Sequence, residues 1–277
     1  ELIDNEFGYI RLSQFQERSA EEMKTAIEDL NKQAAAKKAK VKGLILDLRN
    51  NPGGLLDEAV KMANIFIDKN ETVVQLEKGK HKEAIKASND ASKEAKDMDV
   101  SILVNKGSAS ASEVFTGAMK DYNKAKVYGS KTFGKGIVQT TRELKDGSLL
   151  KYTQMKWLTP DDHYIHGKGI RPDVTIESPK YQSLSVIPSD KTYSVGDNNK
   201  NVKSIKIGLD ALGYYNGDES NQFDNQLANA IKIFQSDHQL SETGKFDTKT
   251  NEKFTQLLVE KSNNEDTVLD KLLKLIK

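Results

Sequence analysis

With 277 residues, the chain is long enough for about two domains and a sizeable core. Its 42 basic and 41 acidic side chains leave a formal net charge of +1, and no single-sign run marks a nucleic-acid or membrane footprint, so nucleic acid is not an expected partner. The chain holds no cysteine, which excludes thiol catalysis, disulfides and Cys-based metal sites.

The first elements follow from periodicity. Phe7 to Phe15 alternates apolar and polar residues and predicts a strand. Ser19 with Glu22 reads as a capping box, and Met23, Ile27 and Leu30 carry a helix into an alanine- and lysine-rich end at 32–42. The apolar run 41–48 predicts a buried central strand ending in Arg49-Asn-Asn-Pro-Gly-Gly54, after which Leu56, Ala59, Val60, Ala63 and Ile67 mark a helix. Strand, Gly-rich turn and helix make an anion-friendly corner, yet the Gly-x4-Gly-Lys-Ser/Thr pattern of a phosphate loop is absent. Residues 73–77 read as a strand and 78–97 as a polar, charged insertion, either a flexible ribbon near the site or a solvated loop.

The stretch Asn105 to Gln139 is the most informative. A strand at 101–104 leads into Gly107-Ser-Ala-Ser-Ala-Ser-Glu113, and Val114, Phe115, Ala118 and Met119 have helical spacing. A strand at 125–128 then leads to a lone lysine between glycines, Gly134-Lys135-Gly136. An alcohol needs an adjacent base to become a nucleophile, and lysine serves when its amine is neutral, which desolvation favours. Ser110 lies centrally in the trio at a helix start, where backbone N–H groups can meet a developing oxyanion. A serine-rich helix cap is the plainer alternative. Asp146-Gly147 turns a hairpin between 140–144 and 149–157. His163 and His166 read as surface residues rather than metal ligands, and no metal or cofactor is expected.

GSASASE followed by TFGKGIVQT resembles the signature of the carboxyl-terminal processing, or tail-specific, proteases of family S41. The resemblance implies a serine endopeptidase that cleaves proteins at or near their C-terminal tails, with Ser110 as nucleophile, Lys135 as general base 25 positions later, and Gln139 assisting the lysine. LDLRNNPGG resembles the family's second signature and implies an oxyanion hole from Gly53 or Gly54 together with Ala111. The Trp157-Leu-Thr-Pro160 and Gly169-Ile-Arg-Pro-Asp173 segments resemble those closing the family's core. The implied fold is α/β (α+β): a protease core of crotonase-like ββα units with a mixed sheet over 1–176, a linker at 177–197 and a small all-α domain at 198–277. A crotonase-type acyl-CoA enzyme is the rival that the Ser-Lys pair disfavours, and a non-catalytic cell-wall binder is another.

From Val202 onward the order V..I..L..LGYYNG...F...L..AI..FQ resembles a peptidoglycan-binding-type helical module. Peptidoglycan is therefore a candidate partner, with support of dimer formation or substrate positioning as the blander role. The stripe Val268, Leu269, Leu272, Leu273 and Ile276 suits a partner subunit, and a homodimer is expected. Family members usually carry a PDZ domain before the core, and no Gly-Leu-Gly-Phe-type loop occurs here, so the expectation is a form lacking it. The implied location is extracytoplasmic: secreted, periplasmic or anchored by a segment not in this chain.

Overall fold

The computed structural model describes residues 1–96 and 98–277. The chain divides into two compact units, Glu1–Ile176 and Glu177–Lys277.

In the first unit the elements run β1 (Leu2–Ile3), β2 (Phe7–Arg11), α1 (Ser19–Ala36), β3 (Gly43–Asp47), α2 (Leu56–Ala63), β4 (Thr72–Lys78) and β5 (His81–Lys86). They continue with α3 (Lys93–Lys96), β6 (Asp99–Val104), α4 (Ala111–Asp121), β7 (Ala125–Gly129), β8 (Ile137–Glu143), β9 (Leu149–Leu158) and β10 (Val174–Thr175). One sheet has the order β1-β2-β3-β6-β7-β10, antiparallel only at β1–β2 and parallel elsewhere. β3 and β6 sit at its centre. All five residues of β3 are buried, as a strand covered on both faces requires. α1, α2 and α4 supply the covering layer through Met23, Ile27, Met62, Phe115 and Met119, all in one core with Leu44, Leu46 and Ile102. The second sheet is antiparallel, in the order β5-β4-β9-β8, and leaves β8 at an edge.

Three local expectations are corrected. The first predicted strand stops at Arg11, because the chain turns so that Phe15 can bridge Gly54: Phe15 N–H donates to Gly53 O (3.0 Å) and Leu55 N–H to Phe15 O (2.9 Å). Ser19 does not cap α1. It is the first helical residue, its hydroxyl accepts from Gln16 N–H, and Arg18 holds the cap position at φ 72°. The insertion at 78–97 is not a plain loop, since Gly79 at φ 62° turns the chain back so that β5 pairs with β4 from Lys78↔His81 to Thr72↔Lys86, with α3 following. The last residue of that expected insertion, Asp97, lies outside the described residues.

The second unit is helical: α5 (Lys200–Ala211), α6 (Asn225–Asp237), α7 (Thr248–Asn264) and α8 (Thr267–Ile276). Asn199, Asp224, Asp247 and Asp266 cap the four N-termini, each side chain accepting from a first-turn N–H. Val202, Ile205, Leu209, Leu227, Ile231, Phe234 and Phe254 form its core. Gly208 lets α5 approach α7, because a Cβ there would lie 2.1 Å from the Phe254 ring. Lys206 is fully buried beneath this core's rim. Its Nζ donates to Asp218 (2.6 Å), Asp224 (2.9 Å) and Ser220 (3.2 Å), tying the loop before α6 to α5.

Candidate active site

Three adjacent parallel strands deliver the parts of the site. β3, β6 and β7 lie side by side, with Asp47 opposite Leu103 and Val104 opposite Gly129. Their C-terminal ends therefore release three turns on one edge of the sheet, the usual place for a ligand site in a parallel α/β sheet. These turns carry Gly53-Gly54, Ser110 and Lys135 respectively.

Geometry separates the three serines. Ser108 and Ser112 are fully buried, and both hydroxyls are committed to carbonyls, Ser108 Oγ to Leu48 O at 2.7 Å and Ser112 Oγ to Asn51 O at 3.0 Å. Ser110 is half-buried and forms a capping box with Glu113 at the start of α4. Its backbone sits at φ 56°, ψ −116°, immediately before the first residue of α4. A non-glycine residue held there stores strain, a cost of about 1–3 kcal/mol that persists only where the surroundings over-determine it.

Glu113 supplies that constraint. Its carboxylate is fully buried and accepts four neutral donors. Oε2 accepts the N–H of Ser110 (3.0 Å) and of Lys135 (2.8 Å), while Oε1 accepts the N–H of Gly134 (2.7 Å) and the hydroxyl of Thr132 (2.5 Å). One side chain thus fixes the backbones of the proposed nucleophile and base together. On sequence Glu113 reads only as an acidic first-turn residue; the Ser-x-x-Glu spacing was the available signal, and the 21-residue reach to Gly134 was not visible in it.

Asn51 does the same for the glycine turn. Fully buried, it accepts Gly53 N–H at Oδ1 (2.9 Å), donates Nδ2 to Leu12 O (2.9 Å), and its own carbonyl accepts from Ala109 N–H and Ser112 Oγ. The turn presses on the serine loop, since a Cβ on Gly53 would come within 2.8 Å of Ala111 N and of Ser110 Cβ. Gly53, at φ 97°, has its N–H engaged; Gly54 and Ala111 are the turn and helix-start residues whose N–H groups have no acceptor among the described residues. Beneath the turn, buried Asp47 accepts from Arg49 N–H, Nε and Nη2 and from Tyr9 Oη (2.8 Å). Burial and the Asp47 charge push the Tyr9 hydroxyl up to about 12.

Lys135 is half-buried, its carbonyl accepting from Trp157 Nε1 (2.8 Å). Among the described residues its Nζ makes no hydrogen bond or ion pair, with Ser110 or any other group. Gln139 is exposed on β8, where the ladder to β9 shifts register between Val138 and Gln139; such bulges re-aim side chains beside active sites. No hydrogen bond joins it to Lys135 among the described residues. His163 and His166 are exposed, and no cluster of three or more His, Asp or Glu is arranged to hold a metal among the described residues.

A profile described as peptidase family S41 matches residues 6–176, and one described as a putative peptidoglycan binding domain matches 198–254. A probable CtpA-like serine protease of Staphylococcus haemolyticus is 72% identical over 270 residues, covering 98% of this chain and 53% of its own length. One from Staphylococcus aureus is 68% identical with the same coverage. The chain thus spans about half the length of the curated relatives it matches. Among solved structures, a photosystem II D1 C-terminal processing protease superposes with a TM-score of 0.55 at 35% identity, over 62% of this chain and 42% of that one. A putative S41 protease from Bacteroides fragilis gives 0.51 at 17% identity, over 64% and 49%, a likeness of fold alone.

Proposed function

This chain belongs to peptidase family S41, and on that premise we propose that it is a serine endopeptidase in which Ser110 attacks a peptide carbonyl with Lys135 as its base. The observation that carries the proposal is the Glu113 carboxylate, which holds the Ser110 and Lys135 backbones from one oxygen. Neutral Lys135 takes the Ser110 proton and later gives it to the leaving amine; water then releases the acyl-enzyme. Ala111 N–H at the start of α4, with Gly54 N–H from the facing turn, receives the oxyanion, Gly53 being engaged by Asn51. Gln139 orients the amine. The amine and hydroxyl are apart at rest, and catalytic hydrogen bonds of this kind often tighten only when substrate arrives.

The proposed substrates are protein chains cut at or near their C-terminal tails, outside the cytoplasm, with the helical unit serving as a peptidoglycan-binding or dimer-supporting module. The test is cleavage of β-casein by the chain and by its Ser110→Ala and Lys135→Ala variants. Loss in both variants, with unchanged folding, is the expected result. Cleavage that survives Ser110→Ala overturns the assignment.

A further inference from the structure

Resting on the protease reading, we propose that Trp157 is a positioning residue for the base: together with Glu113 it fixes both peptide planes that meet at Lys135, so the lysine is aimed from two sides.

Two soft torsions set the direction in which a side chain leaves the main chain. At Lys135 each is tied down by a different element. The plane before its Cα carries the Lys135 N–H, which donates to Glu113 Oε2 (2.8 Å). The plane after it carries the Lys135 carbonyl, which accepts from Trp157 Nε1 (2.8 Å). Each anchor also holds the glycine on its own side: Glu113 Oε1 accepts Gly134 N–H (2.7 Å), and the Gly136 carbonyl accepts Trp157 N–H (3.1 Å). Two consecutive N–H groups therefore go to one residue and two consecutive carbonyls to the other. A buried indole needs an acceptor for its N–H, and any carbonyl would satisfy it. Here the acceptor is the carbonyl of the base itself.

The lysine turn has need of such a clamp. A Cβ on Gly134 would lie 2.8 Å from Gly169 N, and one on Gly136 would lie 2.8 Å from His166 N, so segment 165–169 leaves no room for side chains beside the lysine. Glycine gives a backbone its widest freedom. Hydrogen bonds to rigid partners remove that freedom, and both partners here are rigid. Glu113 is fully buried in the first turn of α4. Trp157 is buried in the main core, and its backbone lies in β9 opposite Leu76 of β4. β9 also pairs with β8 at Ile137↔Lys156 and Gln139↔Thr153, so the strand that anchors the lysine carbonyl also places Gln139. The helix layer of the first sheet holds the base by its N–H, and the second sheet holds it by its C=O.

Trp157 is the single tryptophan of the chain, so its donor can be removed alone. Expression in a tryptophan auxotroph with β-(3-benzothienyl)alanine puts sulfur where the indole N–H stands and keeps the ring. That chain and Trp157→Phe are compared with the parent on a β-casein-derived fluorogenic peptide, with Ile27→Ala as a variant that loses stability in buried α1, away from the site. At a temperature where all are folded, kcat should fall about tenfold in both Trp157 forms with KM within about twofold, and Ile27→Ala should keep both constants. Full kcat in the benzothienyl chain, or an equal loss in Ile27→Ala, overturns the proposal, whether or not Trp157→Phe folds. A second measurement needs no turnover. The indole N–H gives one nitrogen-15 resonance, and Glu113→Gln, by displacing the lysine turn, should move it while Ile27→Ala leaves it in place. A resonance unmoved by Glu113→Gln overturns the clamp. Cleavage that survives Ser110→Ala would instead remove the protease reading, so the two failures are told apart.

Discussion

Glu113→Gln is a near-isosteric change whose consequences can be worked through donor by donor. The amide retains one acceptor oxygen. Placed where Oε2 lies, that oxygen keeps the N–H groups of Ser110 and Lys135. The new NH2 then faces Thr132 Oγ1 and Gly134 N–H. The threonine hydroxyl can turn to accept, though it already accepts from Ile170 N–H (2.7 Å). Gly134 N–H cannot, and is left buried without a partner. One orphaned donor and the loss of charge-assisted bonding together cost about 2–4 kcal/mol. For a unit of this size that is a fall in melting temperature of roughly 4–16 °C. Displacement of Gly134-Lys135 also misplaces the base, and a shift of about 1 Å in a catalytic group costs about a hundredfold in rate. The expected outcome in a β-casein-derived fluorogenic assay is a kcat lower by ten- to a hundredfold with KM little changed. A variant that melts early but keeps full kcat would show Glu113 to be structural only, and one unchanged in both would refute the reasoning.

Other perturbations separate the serines and the two units. Ser110→Gly should abolish cleavage yet raise stability by up to about 1 kcal/mol, since glycine occupies φ 56° without strain; chemical denaturation checks this. Ser108→Ala should do the reverse, losing about 1–3 kcal/mol by stripping a buried acceptor from Asn105 N–H and a donor from Leu48 O, with the chemistry retained. The Tyr9 hydroxyl binds its proton more tightly in the folded chain than in the unfolded one, so stability present below pH 10 should fall by about 1–2 kcal/mol as pH rises from 10 to 12, and Tyr9→Phe should flatten that window in urea titrations. Lys206→Met leaves Asp218 and Asp224 without their buried cation, and should lower the unfolding transition of Glu177–Lys277 while that of Glu1–Ile176 stays put, as calorimetry would resolve.

The sequence made plain whatever depended on local pattern. The run 43–47 could only be a buried strand, the Ser-Ala alternation before Val114 located a helix start, and Asp146-Gly147 marked a hairpin. What escaped was what depended on neighbours far along the chain. β5 has no alternation to announce it, being exposed at five of its six residues, and forms because Gly79 folds it back on β4. Asn51 looks like any residue of a turn before Pro-Gly-Gly; its grip on Leu12, Gly53, Ala109 and Ser112 requires β2, β3 and α4 to have been assembled first. Lys206 sits at an apolar-stripe position of α5, where a lysine ordinarily faces water, and is admitted only because two aspartates from a later loop close over it.

The sheet also gives the molecule two ends that respond differently to change. Because β3, β6 and β7 are held in mutual register and each releases one turn, slipping any of them by a single residue would carry its turn about 3.3 Å along the strand and rotate its side chains to the opposite face. Extra residues inserted beyond Val104 or Gly129 would act like such a slip. Inserted at the far end, between exposed Lys38 and Lys40 ahead of β3, they are absorbed before the ladder begins. Epitope tags and fluorophores therefore belong at that far end, and natural length variation should collect there too.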